Sequence, residues 1–143
     1  MTVSAILSRK GHDVVTIEPT ATMHDAVKIL GTRRIGAVVV TGADQHVVGI
    51  LSERDIVRTL ALQGPGALAT PVSDAMTRKV VTCGQSETIT EIMERMTSGH
   101  FRHVPVLDQG RLVGIVSIGD VVKWRLEEME RESNAMRDYI RTA

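Results

Sequence analysis

The sequence has few aromatic residues, one cysteine and no excess of charge of either sign, and each scarcity excludes something. Only Phe101, Trp124 and Tyr139 are aromatic, so any core has to be aliphatic. Lys and Arg number 17 and Asp and Glu number 17, so no overall field attracts nucleic acid or an anionic membrane. The lone Cys83 excludes an internal disulfide and favours a reducing, cytoplasmic compartment.

Long hydrophobic runs are also missing. No apolar stretch approaches the ~20 residues of a membrane span, and the N-terminus lacks the basic region and apolar run of a secretory signal. The 143 residues are 43% hydrophobic, which suits one compact domain or two small lobes. We therefore expect a small-molecule ligand rather than a nucleic acid or membrane partner.

The chain contains one short sequence pattern that occurs twice. Residues 48–55 read VGILSERD and residues 113–120 read VGIVSIGD. The β-branched run predicts a strand, and Ser52 with Asp55, like Ser117 with Asp120, predicts a capped helix start. A helix N-terminus suits phosphate, and an acceptor-only carboxylate suits a ribose diol. The pattern therefore predicts two nucleotide-ribose corners, which we expect to face a shared cleft.

The repeat extends beyond these corners. Residues 14–57 align with residues 80–122 with 12 identities in 43 aligned pairs, and the matches include helix caps as well as core positions. This indicates a true internal repeat, with Gly64, Pro65 and Gly66 in a linker. Each half predicts a small sheet with two helices, and two such halves predict one core with pseudo-twofold symmetry.

Four segments carry a family resemblance: VVTIEP, VVTCGQ, IGAVVVTGADQHVVGILSERD and FRHVPVLDQGRLVGIVSIGD. Through them the chain resembles the stand-alone proteins with a tandem pair of CBS domains, called a Bateman module. The resemblance implies an α/β (α+β) fold of two pseudo-symmetric β-α-β-β-α repeats packed through their sheets, plus a long C-terminal helix. Within a single module over residues 1–143, the expected parts are repeat 1 (12–62), a linker with a connecting helix (63–77), repeat 2 (78–125) and a helical extension (126–143).

The resemblance also implies a ligand between the repeats: AMP, ADP, ATP or NAD, with S-adenosylmethionine as the alternative. Ribose is assigned to Asp55 and Asp120, ribose or phosphate to Ser52 and Ser117, and phosphate to Arg102 and His103. The base is assigned to residues of the first two strands of each repeat: Thr16, Ile17, Ala37, Val38, Thr82, Cys83, Val104 and Pro105.

Repeat 1 departs from this pattern, because Gly36 and Ala37 stand where repeat 2 has the basic pair. Arg33, Arg34 or Arg54 could replace the lost charge, so we expect two unequal sites. The alternative for the two acids is a capping role alone, and the alternative for Cys83 is packing as a small hydrophobe.

Together with these patterns, the resemblance implies a non-enzymatic sensor that binds an adenosine-containing ligand, forms a homodimer and signals to an unidentified downstream protein. The alternative is a structural dimerisation module with degenerate sites. An enzyme is disfavoured, because no nucleophile pairs with a base and no metal-ligand spacing occurs. Apolar residues at 122, 126, 129, 136 and 140 follow a heptad-like spacing, which predicts either packing on the domain or self-association.

Overall fold

The computed structural model describes residues 1–142, and its element order follows the predicted repeat. Helix α1 (Val3–Lys10) precedes the first repeat. That repeat consists of β1 (Thr16–Ile17), α2 (Met23–Arg33), β2 (Ala37–Thr41), β3 (Val47–Ser52) and α3 (Glu53–Gln63). The second repeat continues with α4 (Ile89–Gly99), β4 (His103–Asp108), β5 (Arg111–Ser117) and α5 (Ile118–Thr142). The expected mixed α/β class and the long C-terminal helix are confirmed.

Two local expectations differ from the structure. The first strand of repeat 2 is reduced to one parallel bridge between Cys83 and Val106, because only Cys83 N and O hydrogen-bond to the neighbouring strand. The connecting helix after the linker is a 3-10 turn over Val72–Asp74, and a second 3-10 turn covers Pro65–Ala69. Both linker turns therefore hold the chain close to the first repeat without forming an α-helix.

Strand pairing and capping place the two Ser-x-x-Asp corners. Strands β2 and β3 are antiparallel with Ala37 opposite Ser52, and β4 and β5 are antiparallel with His103 opposite Ser117. The Ser52 hydroxyl accepts from the backbone of the third helical residue, and that residue's carboxylate accepts from the Ser52 N–H. This reciprocal capping starts α3 directly after the edge strand β3, so the acid lies at the end of that strand.

The interior consists of two hydrophobic clusters rather than the single core expected from the sequence. Each cluster is completed by a segment that precedes the other repeat. Val3, Ile6 and Leu7 of α1 pack into the cluster of repeat 2, whereas Val72 and Met76 of the linker pack into the cluster of repeat 1. Neither small sheet covers its apolar surface alone, so this exchange joins the repeats into one unit.

Two equivalent glycines make the exchange possible. A Cβ at Gly49 would lie 2.5 Å from the Met76 sulfur, and a Cβ at Gly114 would lie 2.6 Å from Cδ2 of Leu7. Real side-chain contacts are longer than this, so each glycine lets an exchanged segment cross its strand. In residues 1–142, no helix combines the length and apolarity needed to cross a bilayer.

Candidate ligand-binding cavity

A cavity of about 600 Å³ lies where the acidic corner of repeat 1 faces repeat 2. Its volume is within the range of small-molecule sites. Repeat 1 and the linker supply one side and repeat 2 supplies the other; the lining residues are Gly36, Ile50, Ser52, Glu53, Arg54, Asp55, Arg58, Thr77, Lys79, Val80, Val81, Gly99, His100, Phe101, Arg102, His103 and Ile118. The site is therefore a composite of both repeats.

Asp55 is the buried acid of this cavity, with 6% of its surface exposed. Its Oδ2 accepts from Ser52 N at 3.0 Å and from Ser52 Oγ at 3.1 Å. Thr77 Oγ1 lies 3.3 Å from Oδ1, and Arg58 Nη1 lies 3.8 Å from the same oxygen. A carboxylate has about four acceptor positions, so Oδ1 retains capacity for a hydroxyl donor.

Basic side chains outnumber acidic ones around the cavity. Arg54, Arg58, Lys79 and Arg102 line it, against Glu53 and Asp55. One of the four is held in place, since Arg54 Nη1 donates to the carbonyl of the α4 cap residue at 3.0 Å. At the aligned positions of the other corner, Gly119, Lys123, Asp13 and Gly36 stand instead. Three basic and two acidic side chains line the cavity beside the other corner, so the excess of positive charge is larger in this one.

His103 lies between the two repeats in this cavity. Burial lowers the pKa of His103, and the nearby carboxylate of Glu53 opposes that effect. The imidazole is close to Gly36, where a Cβ would lie 3.2 Å from its Cε1. His103 is therefore an uncharged hydrogen-bonding group near neutral pH, and an anion beside it would favour its protonated form.

The remaining lining is apolar. Ile50, Val80, Val81, Phe101 and Ile118 contribute aliphatic or aromatic surface, and Val81 and Ile118 are each 39% exposed. Apolar walls beside a few polar groups are typical of pockets that bind small molecules.

The acidic corner of repeat 2 lies elsewhere, so the expected shared cleft does not form. Lys10 Nζ of α1 donates to Asp120 Oδ2 at 2.7 Å and to the carbonyl of Ile115 at 2.9 Å. Burial raises the pKa of Asp120, but the bonds from Lys10 and Ser117 outweigh it and lower the pKa. Asp120 lines a separate cavity of about 250 Å³ between α1 and α5. The reason is the exchange of α1, which brings a lysine to this corner.

None of the eight residues assigned to the base lines either cavity. Ile17, Ala37, Val38, Cys83 and Val104 are buried in the interior. Ala37 and Val38 are consecutive residues of β2 and point to opposite faces, so both faces of this strand are covered there. Thr16 is exposed, Thr82 is half-buried and Pro105 is buried. Burial also raises the pKa of Cys83 to about 11, which keeps its thiol protonated.

Of the assigned residues, the larger cavity brings together Ser52, Arg54, Asp55, Arg102 and His103. Ser117 stays with the other corner, where its backbone N–H donates to Asp120 at 2.8 Å.

Sequence reasoning missed Arg58, Thr77, Lys79, Val80 and Val81. The position of Arg58, three residues after Asp55 on one helix face, was a signal that could have found it. The other four lie where the linker runs into repeat 2, and the repeat pattern does not show the path of the chain there. Within residues 1–142, no three His, Cys, Asp or Glu side chains are grouped to hold a metal ion.

Comparison with known sequences gives the same repeat. A sequence model of the CBS domain matches residues 3–62 and 72–127. The chain is 37% identical over 123 residues to the CBS domain-containing protein CBSX3, mitochondrial, of Arabidopsis thaliana. The match covers 83% of the chain but 60% of that relative, so the chain spans under two thirds of the relative's length.

Solved structures show the same architecture. The CBS-domain containing protein ATU1752 from Agrobacterium tumefaciens is 52% identical, with a TM-score of 0.85. The alignment covers 87% of this chain and 99% of that protein's chain. The CBS domain pair of MJ0100, in complex with 5-methylthioadenosine and S-adenosyl-L-methionine, is 26% identical, with a TM-score of 0.80 and coverage of 90% and 98%. PAE2072 from Pyrobaculum aerophilum, complexed with AMP, is 29% identical, with a TM-score of 0.75 and coverage of 84% and 89%.

Proposed function

This chain belongs to the CBS-domain family, and from that premise we propose that it is a non-enzymatic regulatory module that binds a phosphorylated adenosine ligand between its repeats. The single observation that carries the proposal is the composite cavity, where a buried carboxylate stands among four cationic side chains. Solved relatives that hold AMP, or methylthioadenosine with S-adenosylmethionine, support an adenosine ligand.

In the proposed complex, each part of the cavity contacts one part of the ligand. The adenine lies against Val80, Val81 and Phe101. The ribose hydroxyls donate to Oδ1 of Asp55, and the phosphates lie near the guanidinium groups, which bind phosphate in a bidentate manner.

The charge of the cavity favours AMP, ADP, ATP or NAD over S-adenosylmethionine. A sulfonium cation would meet Arg58, Lys79 and Arg102, and like charges repel at short range. A phosphate in the same place gains from each of them. The preference is expected to increase with the number of phosphates and to weaken with added salt.

A ligand in this cavity touches both repeats and the linker. It therefore stabilises the arrangement of the repeats in which these contacts form together, and shifts the population toward it. A downstream protein that binds one arrangement would detect the ligand. No covalent step is needed, so the proposed role is regulatory. We propose in addition that the chain acts as a homodimer in the cytoplasm.

Titration calorimetry with ATP, AMP, NAD and S-adenosylmethionine tests the proposal. The expected result is one ligand per chain, with ATP bound at least tenfold more tightly than S-adenosylmethionine, a difference of about 1.4 kcal/mol. Equal binding of all four, or tighter binding of S-adenosylmethionine, would contradict the charge argument.

The alternative is a structural dimerisation module, and one observation favours it: Lys10 already occupies the acidic corner of repeat 2. If the other corner were equally inactive, none of the four ligands would bind at millimolar concentration. Release of phosphate from ATP would instead indicate an enzyme.

A further inference from the structure

The distal part of α5 presents an apolar stripe to solvent. Leu126 is 61% exposed, Met129 50%, Met136 60% and Ile140 66%, and Val122, where the stripe begins, is 49% exposed. A stripe of this length along one helix face is the mark of a binding surface rather than of scattered surface residues.

The spacing of the stripe identifies the kind of surface. Its intervals are four, three, seven and four residues, which is the alternation of a and d positions in a coiled coil. Val122, Met129 and Met136 fall at d, and Leu126 and Ile140 fall at a. The remaining a position is Ser133, the only polar residue of the seam.

The stripe does not compete with packing on the domain. Val121 and Trp124 are buried against repeat 2, with Trp124 only 7% exposed. At about 100° per residue, Trp124 lies on the side of α5 opposite Val122 and Leu126. The helix can therefore keep its contact with the domain while its other face pairs with a second helix.

The flanking charges favour one partner and one orientation. The g positions are Arg125, Glu132 and Tyr139, and the e positions are Lys123, Glu130 and Arg137. In a parallel pair, each g residue faces the e residue five positions later on the other helix. Arg125 then faces Glu130 of a second copy, and Glu132 faces Arg137, so every such pair is of opposite charge.

The antiparallel pair with full overlap gives the opposite result. There, e residues face e residues and g residues face g residues. Glu130 meets Glu130, Glu132 meets Glu132, and Lys123 meets Arg137. Like charges at these positions repel, so the antiparallel arrangement is less stable than the parallel one.

We propose that residues 122–140 of two copies form a parallel, in-register, two-stranded coiled coil. The seam is roughly 27 Å long, and the single polar a position, Ser133, lowers its stability. The ion pairs set orientation more than strength, because exposed pairs contribute little. This assembly does not require a ligand and is independent of the proposed nucleotide function.

Cross-linking tests the orientation. In the parallel pair, an Ile140→Cys substitution places the two thiols beside each other, whereas in the antiparallel pair they lie roughly 27 Å apart. Oxidation of the full chain is expected to convert most of I140C to a disulfide-linked dimer. Wild type, whose Cys83 is buried, serves as the control. No cross-link under these conditions would overturn the proposal.

Charge reversal tests the pairing rule. Adding Glu132→Arg to I140C places two arginines opposite each other and is expected to slow cross-linking about tenfold; adding Arg137→Glu as well restores it. Asp138→Arg makes the same charge change at an f position and serves as the matched control. If the charge reversal leaves the cross-linking rate unchanged, or if the control variant cross-links equally slowly, the charges do not set the orientation.

Sedimentation gives an independent measure. Leu126→Glu with Met129→Glu is expected to raise the dimer dissociation constant about 100-fold. Both side chains are exposed in the single chain, so its thermal unfolding stays within a few degrees of wild type. A wild-type chain that is monomeric, or a variant that dimerises as tightly as wild type, would overturn the proposal.

Discussion

Replacing Asp55 with asparagine is expected to weaken ATP binding about 30-fold, whereas the same substitution at Asp120 is expected to leave it unchanged. The two residues occupy equivalent corners of the repeat, so each variant is the control for the other. They differ in their surroundings. Asp55 retains a free acceptor toward the larger cavity, while Asp120 is bonded to Lys10 at 2.7 Å.

The magnitude follows from the oxygen atoms of Asp55. Oδ2 is held by the N–H and hydroxyl of Ser52, so an asparagine keeps its carbonyl there and preserves the cap. Its amide nitrogen then replaces Oδ1, facing Thr77 and Arg58. A donor cannot accept a ribose hydroxyl, and losing a hydrogen bond to a charged group costs about 2 kcal/mol, which is roughly 30-fold in affinity.

Titration calorimetry with ATP on wild type, Asp55→Asn and Asp120→Asn measures both effects. Thermal unfolding of the three proteins shows whether the caps are intact, since asparagine also caps helices. If Asp120→Asn loses as much affinity as Asp55→Asn, the assignment of the ligand to one corner is wrong. Unchanged affinity in Asp55→Asn would refute the ribose contact.

Three further expectations follow from the same structure. Lys10→Met frees the corner of repeat 2, so the calorimetric stoichiometry rises from one ligand per chain toward two. The lost ion pair, whose side chains are 30% and 22% exposed, is expected to lower the free energy of unfolding by about 1–3 kcal/mol. Gly49→Ala forces a Cβ to within 2.5 Å of the Met76 sulfur and is expected to cost about 1–3 kcal/mol of unfolding free energy; Gly31→Ala, where nothing lies within 4 Å, stabilises α2 by about 0.5–1 kcal/mol in the same urea titration. Because burial lowers the pKa of His103, the unfolded chain binds the proton more readily, so stability is full above about pH 6.5 and falls as the pH drops below that value. Urea titrations at two pH values, with His103→Gln showing the smaller difference, check the sign; a larger difference in the variant would contradict it.

Local sequence signals predicted the elements that depend on neighbouring residues. The Ser-x-x-Asp pattern predicted the start of α3, and the structure shows the reciprocal cap at Ser52 and Asp55. A cap involves atoms only three residues apart, so the local sequence determines its geometry. The strands that pair and the C-terminal helix were also predicted from local patterns, the helix from the 4-3-7-4 spacing of its apolar residues.

The candidate site could be predicted only in part. The sequence identified Asp55, Arg102 and His103 but assigned the acid and the basic pair to different sites. The structure brings them to one cavity together with Lys79, at the start of repeat 2. Contacts between repeats join residues about fifty positions apart, and no periodicity within one repeat encodes them.

The sequence by itself determined that the chain is a duplicated α/β unit with an aliphatic interior, two capped acidic corners and an amphipathic tail. The sequence also predicted two unequal sites, but only the tertiary structure decided which corner lies open and which is occupied by a lysine. Exchange of the segments that precede each repeat places Met76 over one sheet and α1 over the other, and α1 brings Lys10 to Asp120. The physical reason is that each small sheet must bury its apolar face against a segment from elsewhere in the chain, and the charges on that segment then determine which corner stays open.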